Sequence, residues 1–211
     1  TDDFTISVYH SNKVLFQGEK AIEEFEKWAK VLGVETDIVK PIPQTAYMNE
    51  FYKMTIIGSD EVGTGDFFGP VIVCAAYIGP ESKNLLEGLN IIDSKRISDQ
   101  QILVLGEKLA KLIPHSVLIT DNHKYNELVE KGFNLNKIKA YLHNHALKKV
   151  IQKKPDYQRL IVDQFCSEKN YYEYLIGQEI IKDISFYSQA ESISEAVAVA
   201  AIIARFHLLL E

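Results

Sequence analysis

Two apolar segments, residues 54–59 and 71–78, follow each other with only a glycine-bearing turn through Gly69-Pro70 between them, so this part of the chain runs from strand to strand and not from strand to helix. Downstream the period lengthens. Ser98 is an N-cap candidate for a helix carrying Leu103, Leu109 and Leu112 and stopping at Pro114; residues 116–120 read as a strand, 122–131 and 134–153 as helices, 159–165 as an apolar strand, 169–177 as a helix, 184–187 as a short strand and 192–210 as a long Ala-rich helix. A strand run followed by alternating helices and strands predicts a mixed α/β sheet.

Upstream lies a smaller pattern. Residues 4–8 alternate apolar and polar, as do those around Val14 and Phe16, with a turn at residues 10–13 between them. A helix follows Gly18 with Ile22, Phe25, Ala29 and Leu32 on one face and Gly33 as its stop. Two strands and one helix bury too little apolar surface to stand alone, so residues 1–33 read as part of a larger domain, and the absence of an initial Met fits a cropped N-terminus. Residues 34–53, with Pro41 and Pro43 and no sustained period, read as a linker; the main domain is expected over 54–211.

Acidic side chains fall at the ends of the apolar segments: Asp60-Glu61 after the first strand, Asp163 within 160–165, and Glu191 just before the last helix. A carboxylate in an apolar strand costs several kcal/mol, on the order expected for a buried charge, unless a proton or cation compensates it. An acid at a strand end also serves as a cap or turn former, but several such acids together suggest a shared task. Oxygen-only ligands select hard cations such as Mg²⁺ or Mn²⁺, and clustered carboxylates hold two of them roughly 3.5–4 Å apart for in-line phosphoryl displacement.

The net charge of −6 argues against a general nucleic-acid coat protein. One basic stretch stands out, residues 134–154, with Lys137, Lys139, Lys148, Lys149, Lys153 and Lys154 and no acid; it reads as a solvated helix face or a weak phosphate footprint. Cys74 and Cys166 form no metal or disulfide motif and read as small core residues, which fits a reducing cytoplasm. The apolar runs at 71–78 and 196–204 are too short to cross a bilayer, and no signal-peptide pattern opens the chain. Gly63-Thr64-Gly65 followed by Gly69 has the wrong spacing for a dinucleotide fingerprint, and there is no phosphate-binding G-x-x-x-x-G-K-[ST]. His143 and His145 sit two apart on an expected helix, point to different faces, and read as ordinary residues of a half-exposed helix, not as metal ligands.

The stretch G-S-D-E-V-G-T-G-D-F-F-G-P at 58–70 resembles the signature of ribonuclease HIII, in the type 2 ribonuclease H superfamily. D-S-K at 93–95, K-Y-N at 124–126, L-H-N at 142–144, V-D-Q-F at 162–165, K-N-Y at 169–171, A-E-S at 190–192 and I-I-A-R at 202–205 follow in the family's order, so the likeness covers about residues 54–211. The resemblance implies a ribonuclease H-like α/β fold, a mixed central sheet flanked by helices. It implies an endonuclease that cuts the RNA strand of an RNA–DNA hybrid, leaves 5′-phosphate and 3′-hydroxyl ends, uses two Mg²⁺ or Mn²⁺ ions, and has no obligatory protein partner and no membrane partner. Its metal-binding and catalytic acids fall on Asp60, Glu61, Asp163 and Glu191; its ribose-reading turn on Gly63, Thr64 and Gly65, where Thr64 replaces the basic residue usual in the HII enzymes; its phosphate contact on Ser94 and Lys95. Residues 9–18 resemble the second half of the family's TATA-binding-protein-like substrate domain, making 1–33 a partial ββα unit. Two alternatives stay open: an HII-like enzyme removing single ribonucleotides from duplex DNA, and a hybrid-binding module without activity.

Overall fold

The computed structural model describes residues 4–9, 14–18, 20–33, 51–66, 68–86, 89, 91 and 97–211. The chain divides into two compact units, residues 1–41 and 42–211. In the first, β1 (Phe4–Val8) pairs antiparallel with β2 (Val14–Gly18), and α1 (Ala21–Leu32) follows, ended by Gly33 in the left-handed conformation that glycine tolerates. Phe16 packs edge-on against Phe25 at 5.5 Å, yet only Ala29 of α1 is buried, and Trp28 stays half exposed. Among the described residues of this unit, too few apolar side chains converge to close a core. Of the expected linker, residues 34–50 lie outside the described residues, whereas Phe51 is buried and packs into the core of the second unit, so that unit's packing begins before residue 54.

The second unit is a five-stranded sheet in the order β5-β4-β3-β6-β7, formed by β3 (Ile56–Val62), β4 (Val71–Ile78), β5 (His115–Thr120), β6 (Arg159–Asp163) and β7 (Ile184–Tyr187). β4 runs antiparallel to β3 and β5, while β6 runs parallel to β3 and β7, giving the mixed sheet that the order of periods predicts. The helices are α2 (Pro80–Leu86), α3 (Asp99–Leu112), α4 (Asn122–Glu130), α5 (Leu135–Lys153), α6 (Glu168–Tyr174) and α7 (Glu195–Leu208). Ser98 caps α3 in a reciprocal box with Gln101, and Asn134 caps α5 by accepting from Lys137 N at 2.8 Å. No helix among the described residues is long and apolar enough to cross a membrane.

Two apolar layers cover the sheet. Ile56, Ile72, Cys74 and Ile161 pack with Val197, Val199 and Ile203 of α7, and α3 lies on the far side of α7. Ile57, Val73, Leu160 and Val162 pack instead with Ala140, Leu147 and Val150 of α5. Because successive side chains of a strand point to opposite faces, even-numbered residues of β3 look toward α7 and odd-numbered ones toward α5. A Cβ on Gly58 would lie 2.4 Å from Val197 N, so glycine is what lets the small-residue start of α7 approach the strand.

Candidate active site

The close approach of α7 brings Glu191 to the sheet. Glu191 sits on a short 3-10 turn, Ala190–Ser192, ahead of α7, and Ala190 N donates to Asp163 Oδ1 at 2.7 Å, tying that turn to the end of β6. Asp60 lies one residue past the Ser59–Val162 pairing of β3 with β6, on the same sheet face as Asp163. One carboxylate oxygen from each of Asp60, Asp163 and Glu191 lies within 4.8 Å of the others; Asp60 and Glu191 are buried. Burial first, and then the charges of Asp163 and Glu61, push the Asp60 carboxyl well above its ordinary range; the hydrogen bond from Glu61 N at 2.7 Å opposes this only in part. Across the β3–β4 pair, burial and then Asp60 also push the Cys74 thiol up. A buried, oxygen-only group of three carboxylates, strained by mutual repulsion, fits a hard divalent cation.

Glu61 stands apart from this group. One position along β3 its side chain faces α5, where Lys139 Nζ donates to Oε1 at 2.7 Å and His143 Nε2 lies 2.9 Å from Oε2. Burial acts to raise its pKa, but the hydrogen bond and charge of His143, and then Lys139, outweigh that and leave it lowered. His143 is fully buried and its Nδ1 lies 2.8 Å from Ser59 Oγ, which in turn donates to Cys74 O. The two histidines do point to different faces of a half-exposed helix, as their spacing predicts: the sheet covers α5 on the side of His143, and His145, on the other face, is exposed. Lys139, expected on a solvated face, is buried as well.

Residues 57–211 match the family model described as Ribonuclease HII, and residues 1–40 match one described as a Domain of unknown function (DUF3378). Ribonuclease HIII of Listeria monocytogenes serotype 4b (strain CLIP80459) is 41% identical over 208 residues, which span 96% of this chain and 67% of the relative. Ribonuclease HIII of Bacillus subtilis (strain 168) is 41% identical over 215 residues, spanning 98% and 68%. The chain belongs to the ribonuclease HIII family. The crystal structure of Bst-RNase HIII in complex with Mn²⁺ is similar to it with a TM-score of 0.76 at 34% identity, covering 100% of this chain and 70% of that one. Aquifex aeolicus RNase H3, at 24% identity and a TM-score of 0.62, shares the fold.

In this ribonuclease HIII chain the Gly63-Thr64-Gly65 turn leaves the end of β3 beside the acids. Gly63 has φ +84°, and a Cβ there would lie 2.1 Å from Pro70 O, so the turn itself demands glycine. Gly65 meets nothing within 4 Å, and its surroundings give no packing reason for glycine. Thr64 is exposed and borders a groove shared with Phe68, Asn122, Tyr125 and Asn126, which puts the K-Y-N motif next to the turn. Ser94 and Lys95 lie outside the described residues. The L-H-N motif has a structural reason: Asn144 Nδ2 donates to Glu179 O at 3.0 Å, and Oδ1 accepts from Ile181 N at 2.9 Å, fastening the connection into β7.

Sequence reasoning missed Ser59, Lys139 and His143. Two local signals were available. Adjacent acids on a strand point to opposite faces, so Asp60 and Glu61 require different surroundings, and Lys139 and His143 are four apart on α5, hence on one face.

Proposed function

We propose that this chain is a ribonuclease H endonuclease that hydrolyses the RNA strand of RNA–DNA hybrids at the Asp60, Asp163 and Glu191 carboxylates. The observation that carries this reading is the convergence of these three acids, from three separate segments, on one face of the sheet. They would hold the divalent cations, Mg²⁺ or Mn²⁺, and Glu61 completes the acidic set on the neighbouring face. Two such ions held by these residues would supply activation of a water nucleophile and stabilisation of the departing 3′-oxygen, consistent with 5′-phosphate and 3′-hydroxyl ends. The protein's own part is placement. β3 and β6 present Asp60 and Asp163 side by side, and the hydrogen bond from Ala190 N holds Glu191's turn against them. The backbone of Gly63, Thr64 and Gly65 reads the ribose: the 2′-hydroxyl is the group that separates RNA from DNA, and the open space at Gly65 allows a sugar to approach the main chain. Ser94 and Lys95 supply a phosphate contact, and residues 1–33 add substrate-binding surface to the catalytic domain at 54–211. The unpaired thiols of Cys74 and Cys166 agree with a cytoplasmic setting.

The test is cleavage of a labelled RNA–DNA hybrid, an all-DNA duplex and a duplex with one embedded ribonucleotide, each with Mg²⁺, with Mn²⁺ and with chelator. Metal-dependent cuts in the hybrid's RNA strand are expected, with the DNA duplex intact. Cleavage confined to the single ribonucleotide would favour the HII-like alternative, and binding without cleavage would leave a hybrid-binding module.

A further inference from the structure

Glu61 is 11% exposed and Lys139 8% by side chain, so their ion pair is formed almost out of water. Desolvating two charges costs several kcal/mol per ion, and an apolar pair of similar volume often serves stability as well or better, so a buried pair is poor evidence of a stability device. This pair is also over-determined. Lys139 Nζ stands 4.3 Å from the centroid of the Phe165 ring, and the His143 ring stacks on the same phenyl at 5.1 Å. Phe165 lies two residues beyond Asp163, so the backing of both partners of Glu61 is built from the segment that carries a cluster acid. Ser59 Oγ lies 2.8 Å from both Cys74 O and His143 Nδ1, which fixes the imidazole ring with Nε2 aimed at Glu61 Oε2. Both carboxylate oxygens of Glu61 are thereby engaged on the α5 face, while the three clustered acids lie on the α7 face.

We propose that Lys139 and His143 are positioning residues that hold the Glu61 carboxylate out of the Asp60–Asp163–Glu191 cluster, so that the cluster binds its first divalent cation without Glu61. Turnover still needs Glu61, and only that clause rests on the ribonuclease reading above. Lys139 acts on the metal site through Glu61: when the ammonium is removed, the carboxylate is released toward the cluster, and cation affinity rises while catalysis falls.

The experiment is calorimetric titration of Mn²⁺ into the wild-type chain, D163N, E61Q, K139M and the E61Q/K139M pair, with hybrid cleavage measured alongside. E61Q is expected to bind the first Mn²⁺ within about fivefold of wild type, whereas D163N, which loses a ligand, weakens it by about a hundredfold or more. K139M is expected to tighten Mn²⁺ by about tenfold, and this gain should vanish in the E61Q background, as a double-mutant cycle requires of residues acting as a unit. Weakening by E61Q equal to that of D163N would make Glu61 an ordinary ligand and overturn the proposal. A K139M gain that persists with E61Q would overturn it too, because the effect would then be charge acting through space. Should K139M fail to fold, E61Q, which keeps the side chain's shape, decides alone. The expected Mn²⁺ pattern in a wild-type chain that cuts no hybrid would sink the ribonuclease reading and leave the positioning role standing.

Discussion

Asp60 and Glu61 are neighbours on one strand, yet they live on opposite faces of the sheet and in opposite electrostatic worlds. Asp60, facing α7, is pushed toward its neutral form by burial and then by the charges of Asp163 and Glu61; Glu61, facing α5, is held ionised against its burial by His143 and then Lys139. The linkage to stability therefore has opposite signs. A raised folded-state pKa at Asp60 stabilises the metal-free fold fully in acid, and the contribution is lost as pH rises from the unfolded value through the folded one. A depressed pKa at Glu61 gives a contribution present above the unfolded value and lost as pH falls through the folded one. One face gathers carboxylates, and the other pairs its carboxylate with Lys139 and His143.

The strongest way to break this comparison is D163N, which alters only the acidic face. It is expected to reduce hybrid cleavage by about a thousandfold, ~4 kcal/mol of barrier, with the fold and the Lys139–Glu61 contact intact. Near-normal turnover in Mg²⁺ would mean that the α7 face is not where the chemistry happens.

Next is G58A. The new Cβ would clash with the backbone of α7 at Val197, costing about 3 kcal/mol of stability by overpacking and shifting Glu191's turn relative to Asp60. Chemical denaturation with Mn²⁺ titration checks both effects, and unchanged stability would show that the approach of α7 to β3 is looser than the structure indicates.

Cation binding separates the faces by pH. Mg²⁺ or Mn²⁺ at ~100 times its dissociation constant is expected to stabilise the fold by about 2.7 kcal/mol near neutral pH and by much less in acid, where protons compete for the oxygens of Asp60 and its partners. Melting curves at two pH values against a monovalent-salt control measure it; an equal shift at both would mean the acids do not share a metal.

The smallest effect is expected from S59A, on the α5 face. Removing the hydroxyl takes the partner of the buried His143 Nδ1 and costs about 1–2 kcal/mol, while the shift in melting temperature caused by Mg²⁺ stays as in wild type. A large loss of that shift would show that the two faces are coupled through β3.

Much of the architecture is a local property of the chain. The strand runs around Ile57, Val73, Ile161 and Ile184 and the cap at Ser98 follow from apolar period and capping chemistry, and the structure bears them out. Boundaries were less legible: the first strand runs on to Val62, so both acids lie within it instead of beyond it, because pairing with β4 extends the ladder past the apolar run. The last helix starts at Glu195, with a separate 3-10 turn at Ala190–Ser192 that the hydrogen bond to Asp163 holds in place.

By itself the sequence determined the order of elements, the positions of Asp60, Asp163 and Glu191 at the ends of apolar segments, and the alternation that starts the side chains of Asp60 and Glu61 off in opposite directions. Tertiary structure alone decided which acid joins which company. Lys139 and His143 reach Glu61 from 78 and 82 residues away, a separation over which no local propensity acts. Their pairing exists because α5 covers one face of the sheet and α7 the other, and that choice is made when the apolar layers of the whole domain close together, not by any segment on its own.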